Sequence, residues 1–123
     1  MSVEPGDFLK ISKDLMANDD EISHRVAASR AYYCAYHKTH ATITGPIPNY
    51  ACGSHEALTE YLISSDADNS EKLDKKTRTQ LSFMLKNMKT QRHMADYQLA
   101  VCFTKQQAET VIKMTEKLVN MCG

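Results

Sequence analysis

The sequence has no net charge, no long apolar run and no closely spaced cysteine pair, and each absence excludes a class of protein. Fifteen Lys and Arg residues balance fifteen Asp and Glu residues, unlike a strongly basic nucleic-acid-binding chain, although a local basic face is compatible with this composition. The sequence contains neither a signal-peptide core nor a run of about 18 apolar residues. We therefore expect a cytoplasmic protein without a membrane span.

The four cysteines do not form a Cys-x-x-Cys motif. They are Cys34, Cys52, Cys102 and Cys122. Without a secretory signal a disulfide framework is not expected, and we predict reduced thiols that are mostly buried. Cys34, His37 and His40 resemble a metal-ligand set, but steps of three drift around a helix and leave the first and last about 120° apart. We predict neither a metal site nor another cofactor.

The length and the apolar periodicity predict one all-α domain, an up-and-down bundle of about five helices. A chain of 123 residues suits a single domain and can bury a core without disulfide or metal staples. Pro5 suits the first turn of a short helix, and Asn18 is the expected cap of a long second helix that ends at "TGPIPN". A third helix is expected from Ser54 to about Ser64. The polar segment "SSDADNS" is expected to be a loop. A fourth helix follows it, and "TKQQ", residues 104–107, is expected to open the last helix as a capping box.

The long second helix carries a stripe whose members alternate steps of four and three, which predicts its inward face. The members are Ile22, Val26, Ser29, Tyr33, Tyr36 and His40. Arg30 flanks this stripe among the tyrosines. The aromatic rings are interpreted either as a stacking platform for nucleic-acid bases or as core residues, with Arg30 as a structural pairing residue.

The fourth helix carries an arginine where a buried residue is expected. The side chains within about 40° of one direction are those of Leu81, Leu85, Met88, Arg92 and Ala95. A buried guanidinium needs a partner, and Asp96, one turn after Arg92, is the nearest candidate in the sequence. A purely structural ion pair between these two residues is one interpretation.

A neighbouring face of the same helix is basic and polar. It comprises Lys75, Arg78, Lys86, Lys89 and His93. Such a stripe is either a solvated face or, beside a nucleic-acid cleft, a surface that attracts phosphates.

Three stretches in order resemble the HEPN domain family. "SRAYYCAYHKTHATI" resembles its early helix, "GSHEALTEYLI" its short middle helix, and "RHMADY" its late R-x-x-A-D-Y signature; together they span roughly residues 5 to 120. The resemblance implies an RNA-directed protein of a prokaryotic toxin–antitoxin or phage-defence module. It also implies a homodimer in which the two late helices face each other across a cleft. A nucleotidyltransferase-type antitoxin or another defence protein is the implied partner.

The resemblance also assigns residues to a site. Active HEPN ribonucleases cleave RNA without metal through an R-x-x-x-x-H pattern, and this sequence has Tyr97 in place of the histidine. The implied catalytic residues are Arg92 as a phosphate clamp, Asp96, and Tyr97, which could position a phosphate, stack on a base or donate a proton. The implied RNA- or nucleotide-binding residues are Arg30, Tyr33, His37, Lys89 and His93. Because a phenol is a poor base at neutral pH, a non-catalytic module that binds RNA or nucleotide, or scaffolds a partner protein, is the alternative.

Overall fold

The computed structural model describes residues 2–123, which form six helices and no strand. The helices are α1 (Pro5–Leu15), α2 (Glu21–Thr42), α3 (Ser54–Leu62), α4 (Ser65–Ser70), α5 (Lys75–Tyr97) and α6 (Lys105–Cys122). Helix α2 packs against α1, α5 and α6, and α3 packs against α5. The prediction of an all-α chain is confirmed. None of the helices in this part of the chain is long and apolar enough to cross a membrane.

The prediction of about five helices is one short of the six observed, and the prediction of a loop at "SSDADNS" is wrong, because this segment contains α4. The Ser64 hydroxyl caps this short helix by accepting a hydrogen bond from the main-chain N–H of Ala67 at 3.2 Å. Ala67 is fully buried. One small apolar residue and a cap are thus enough to fold a segment whose polar composition is typical of a loop.

Three of the four predicted helix starts are confirmed, and the fourth is wrong by two residues. Ser54 begins α3 as predicted. Pro5 occupies the first turn of α1, and Thr104 and Gln107 form the capping box of α6. The cap of α2 is Asp20 rather than Asn18, because the Asp20 carboxylate accepts from the Ser23 N–H at 2.9 Å. Asn18 instead donates to the Ser23 hydroxyl at 3.2 Å.

The predicted stripe coincides only in part with the inward face of α2. The residues that are buried against α5 and α6 are mostly small: Ala27, Ala28, Ala31, Ala35 and Tyr32. Of the predicted stripe, Ser29 is buried, and Tyr33 and Tyr36 are partly buried against the core. Ile22 is 66% exposed, and Val26 and His40 are exposed as well. Alanines let three helices approach α2 closely, and the two ends of the predicted stripe, at Ile22 and His40, are left exposed.

The predicted stripe on α5 is confirmed. Leu81, Leu85, Met88 and Ala95 are buried in the core, and the Arg92 side chain on the same stripe is only 11% exposed.

Arg78, which was predicted on the basic face of this helix, is also buried. It donates to the carboxylate of Asp68 at 2.6 Å and to the carbonyl oxygens of Leu62 and Leu73 at 2.8 and 3.1 Å. Arg78 therefore joins α5 to α3 and α4 and leaves the predicted basic stripe shorter.

All four cysteines are free thiols. Cys34 and Cys122 are buried, whereas Cys52 and Cys102 are exposed. The prediction of mostly buried cysteines is thus right for two of the four.

Candidate functional site

Three aromatic rings surround the guanidinium of Arg92, and not all of its N–H groups have hydrogen-bond partners. Its Cζ atom is 5.6 Å from the ring centroid of Tyr32 and 5.9 Å from those of Tyr33 and Tyr97. Its Nη1 atom is 3.8 Å from the Asp96 carboxylate, which is too long for a hydrogen bond. The Nε atom is buried and has no hydrogen-bond partner among the described residues. Part of the hydrogen-bonding capacity of this guanidinium is therefore unused by the described residues.

Asp96 is held by a second helix. Its carboxylate accepts from the Ser29 hydroxyl at 3.0 Å, and the same hydroxyl accepts from Arg30 Nη2 at 3.0 Å. The predicted pairing of Arg92 with Asp96 is confirmed as an ion pair, but the shorter contact of Asp96 is to α2. This carboxylate thus fixes the end of α5 against α2 and leaves part of Arg92 unpaired.

The predicted binding residues of α2 lie beside Arg92. The Arg30 guanidinium stacks over the Tyr33 ring at 4.8 Å, and the His37 ring lies 6.2 Å from Tyr33 and 5.5 Å from Phe8. Tyr33 is partly buried and His37 is exposed. Arg30, Tyr33 and His37 therefore continue the cluster of cationic and aromatic side chains around Arg92 along α2.

His55, at the start of α3, belongs to the same cluster, and sequence reasoning missed it. Its Nδ1 atom shares a hydrogen bond with the Tyr32 hydroxyl at 2.5 Å, and its ring stacks on Tyr36 with centroids 4.1 Å apart. Burial, together with the positive charges of Lys89 and Arg92, lowers the pKa of His55. The histidine was visible in "GSHEALTEYLI", but the periodicity of one helix cannot show that it reaches tyrosines of another.

Tyr32 connects His55 to Arg92. It is almost fully buried, and burial raises the pKa of Tyr32 far above its usual range, while the charge of Arg92 partly opposes the rise. The phenol therefore stays protonated at neutral pH. The Arg92 guanidinium lies over the Tyr32 ring, and the Tyr32 hydroxyl is hydrogen-bonded to His55.

The remaining predicted residues of α5 border the cluster. Lys89 and His93 line a shallow hollow together with Thr90, Met94 and Gln98. The His93 ring lies 5.0 Å from that of Tyr97, and the Tyr97 side chain is 65% exposed. Both rings thus face solvent at the edge of the Arg92 site.

Another hollow, of about 680 Å³, lies between α5 and α6 on a different part of the surface. Its lining includes Phe83, Met84 and Met114, with Lys113 and Lys117 as its charged members. None of the predicted site residues lines it. We therefore place the candidate site at Arg92, where the titratable groups meet.

Within residues 2–123, no three His, Cys, Asp or Glu side chains come together as metal ligands would. Of the three residues considered for zinc, Cys34 is buried, whereas His37 and His40 are exposed. The absence of a bound metal stays a prediction.

Comparisons of the chain with protein-family models, with curated proteins and with solved structures gave no match. The resemblance to HEPN domains therefore rests on the three sequence stretches and on the residues they contain.

Proposed function

We propose that the protein is an RNA-directed protein of the HEPN type, which acts as a homodimer and holds the RNA backbone at Arg92. The observation that carries the proposal is the buried Arg92 Nε atom, which has no hydrogen-bond partner among the described residues. A buried donor without a partner costs about 1–3 kcal/mol, and a phosphate oxygen would remove that cost. The site thus has a physical reason to accept an anion.

The surroundings of Arg92 favour RNA over a simple anion. Single-stranded nucleic acid is commonly held by cations that follow the backbone and by rings on which bases stack. Tyr33, His37 and Tyr97 supply rings with exposed or partly exposed faces. Arg30, Lys89 and His93 supply donors on either side of Arg92.

Exposed apolar residues beside the site support a homodimer. Leu99 is 76% exposed, and Ile22, Val26 and Tyr97 are exposed as well. These residues lie at one end of the molecule, because Arg25, between Ile22 and Val26 on α2, binds main-chain carbonyls around Leu99. Pairing two copies through this face would bury apolar surface and bring two Arg92 sites near each other.

Metal-independent RNA cleavage is the activity we propose for such a dimer, in a prokaryotic toxin–antitoxin or phage-defence module with a nucleotidyltransferase-type antitoxin as partner. The second candidate is a non-catalytic module that binds RNA or nucleotide. The observation that favours it is the exposed phenol of Tyr97, which stands where HEPN ribonucleases have a histidine.

Arg92→Ala is expected to weaken the binding of a single-stranded oligoribonucleotide by roughly ten- to a hundredfold, because charge-assisted hydrogen bonds contribute about 1.5–3 kcal/mol. Arg92→Lys should recover only part of the affinity, since an ammonium lacks the bidentate fork. Fluorescence anisotropy without divalent ions would measure both variants. The control is Lys105→Ala, an exposed cation at the start of α6. Unchanged affinity of a folded Arg92→Ala protein would contradict the proposal.

Leu99→Asp is expected to convert a dimer into a monomer at micromolar concentration, because it places a charge in the proposed apolar contact. Sedimentation velocity of the wild type and the variant would measure this. Phe83→Asp is the matched control, because Phe83 is also exposed (69%, against 76% for Leu99) but lines the hollow between α5 and α6. A monomeric wild type, or equal dissociation by both variants, would remove the proposed dimer face.

A further inference from the structure

The side chain of His55 is held in one orientation by two contacts on different residues of α2. The hydrogen bond of Nδ1 to the Tyr32 hydroxyl fixes the rotation of the ring, and the stack on Tyr36, with an interplanar angle of 19°, fixes its plane. The Nε2 atom makes no hydrogen bond with any described residue. A histidine with one nitrogen anchored and the other unused has the arrangement of a general base or acid.

His55 also lies next to the proposed phosphate clamp. The ring centroids of His55 and Tyr32 are 5.5 Å apart, and the Arg92 guanidinium carbon lies 5.6 Å from the same Tyr32 centroid. The His55 ring and the Arg92 guanidinium therefore both contact the buried side chain of Tyr32. A phosphodiester held by Arg92 would bring the adjoining ribose into the neighbourhood of His55.

We propose that His55 is a catalytic residue, the general base that removes the ribose 2′-hydroxyl proton in metal-independent RNA cleavage at this site. The inference rests on the proposed function. It supplies, from α3, the histidine that the late motif lacks at Tyr97.

The reaction uses only the RNA, water and side chains of this site. His55 Nε2 takes the proton of the 2′-hydroxyl, and the 2′ oxygen forms a bond to the phosphorus while the bond from phosphorus to the 5′ oxygen breaks. The leaving 5′ oxygen takes a proton from water, and the hydroxide so formed receives the proton held by His55. The products are a 2′,3′-cyclic phosphate and a 5′-hydroxyl. Arg92 stabilises the charge on the non-bridging oxygens.

For this role Nδ1 carries a proton and donates it to the Tyr32 oxygen, which leaves the lone pair of Nε2 for the substrate. The groups that face His55 are Tyr32, Tyr33, Tyr36 and His37 from α2 and Lys89 and Arg92 from α5. Burial, followed by Lys89, Arg92 and His37, lowers the pKa of His55. A lowered histidine pKa favours the neutral form, so the base is ready at neutral pH.

The test measures cleavage and binding separately. Cleavage of a single-stranded oligoribonucleotide is followed in chelator, and affinity is measured with its 2′-O-methyl analogue, which cannot be cleaved by this route. His55→Asn is expected to lower the cleavage rate by about 10²- to 10⁴-fold while affinity for the analogue changes less than about twofold. The matched control is His40→Asn, an exposed histidine of α2, which should leave both quantities unchanged.

The pH profile of the wild type gives a second measurement that does not depend on the folding of a variant. The cleavage rate should rise with pH and reach a plateau. The pKa that describes this rise should lie below the usual histidine value of about 6.5, and an NMR titration of His55 should give the same pKa. Tyr32→Phe, which removes the hydrogen bond that orients the ring, should lower the rate with affinity retained.

Each outcome decides at least one of the two proposals. A wild type that does not bind RNA overturns the proposed function and the role of His55 together. A wild type that binds without cleaving overturns the role of His55 alone, as does undiminished cleavage by His55→Asn or a rate that does not rise with pH. Loss of cleavage in His55→Asn with binding retained, and with a matching titration, establishes the base.

Discussion

Replacing Arg25 with methionine is expected to lower the free energy of unfolding by about 3–5 kcal/mol, because the change removes several hydrogen bonds of a buried guanidinium that joins two helices. Arg25 is only 5% exposed. Its Nε atom donates to Glu21 at 2.9 Å. Its other nitrogens donate to four main-chain carbonyls at the end of α5 and in the following loop, those of Met94, Ala95, Gln98 and Val101. Methionine would leave the buried carbonyl of Ala95 and the part-buried carbonyl of Val101 without a donor. The carbonyls of Met94 and Gln98 would keep the N–H groups of Gln98 and Val101.

Methionine keeps most of the apolar volume of arginine, so the loss reports on the hydrogen bonds rather than on a cavity. Urea unfolding would measure the change in the free energy of unfolding. An unchanged slope of that free energy against urea concentration would be the check for two-state behaviour. Arg30→Met is the matched control on the same helix, because Arg30 is only partly buried and contacts one hydroxyl and one ring. We expect it to cost less than about 1 kcal/mol. Equal losses for the two variants would contradict the role given to Arg25.

The face of α5 could be predicted from the sequence because it depends on one helix alone. The spacing of Leu81, Leu85 and Met88 sets a direction, and continuing it forward at 100° per residue places Arg92 on the buried side, where the structure has it. The ion pair with Asp96 follows from the same geometry, because residues four apart lie on adjacent turns. Local periodicity is sufficient here.

The face of α2 could not be predicted in this way, because the helix has apolar residues on two sides. The alternation from Ile22 to His40 selects one side, but the core lies mainly on the neighbouring side, at residues such as Ala27 and Ala31. Which side is buried depends on how closely α5 and α6 approach, and that distance is a property of three helices together.

The partners of the buried arginines also could not be predicted from the periodicity of a single helix. Arg25 binds carbonyls that lie 69 to 76 positions later in the chain, and Arg78 binds carbonyl oxygens at the end of α3 and before α5. Main-chain carbonyls have no signature in the sequence, so an arginine that binds them looks like any other surface cation. His55 was missed because its partners, the Tyr32 hydroxyl and the Tyr36 ring, lie on another helix.

Gly45→Ala is expected to lower the free energy of unfolding by about 2–4 kcal/mol, because the new methyl group has no space and its neighbours cannot move without losing hydrogen bonds. A Cβ atom at Gly45 would overlap the Tyr61 hydroxyl and lie 2.7 Å from the Ser70 side chain. Tyr61 is fully buried and donates to the Glu71 carboxylate at 2.7 Å. Glu71 also accepts from the N–H groups of Gly45 at 2.7 Å and Thr44 at 2.9 Å.

The controls separate this clash from the general effect of removing a glycine. Gly6 is the second residue of α1 and has nothing near its Cβ position, so Gly6→Ala should raise the free energy of unfolding by at most about 1 kcal/mol, the opposite sign. Tyr61→Phe removes the hydroxyl that the new methyl group would meet, so Gly45→Ala should cost less in that background, and a double-mutant cycle in urea would show the difference as a coupling. Additive effects of the two substitutions would mean that the strain falls on Ser70 instead. A neutral Gly45→Ala variant would mean that the loop after α2 yields, and the Glu71 network would then not hold that loop in place.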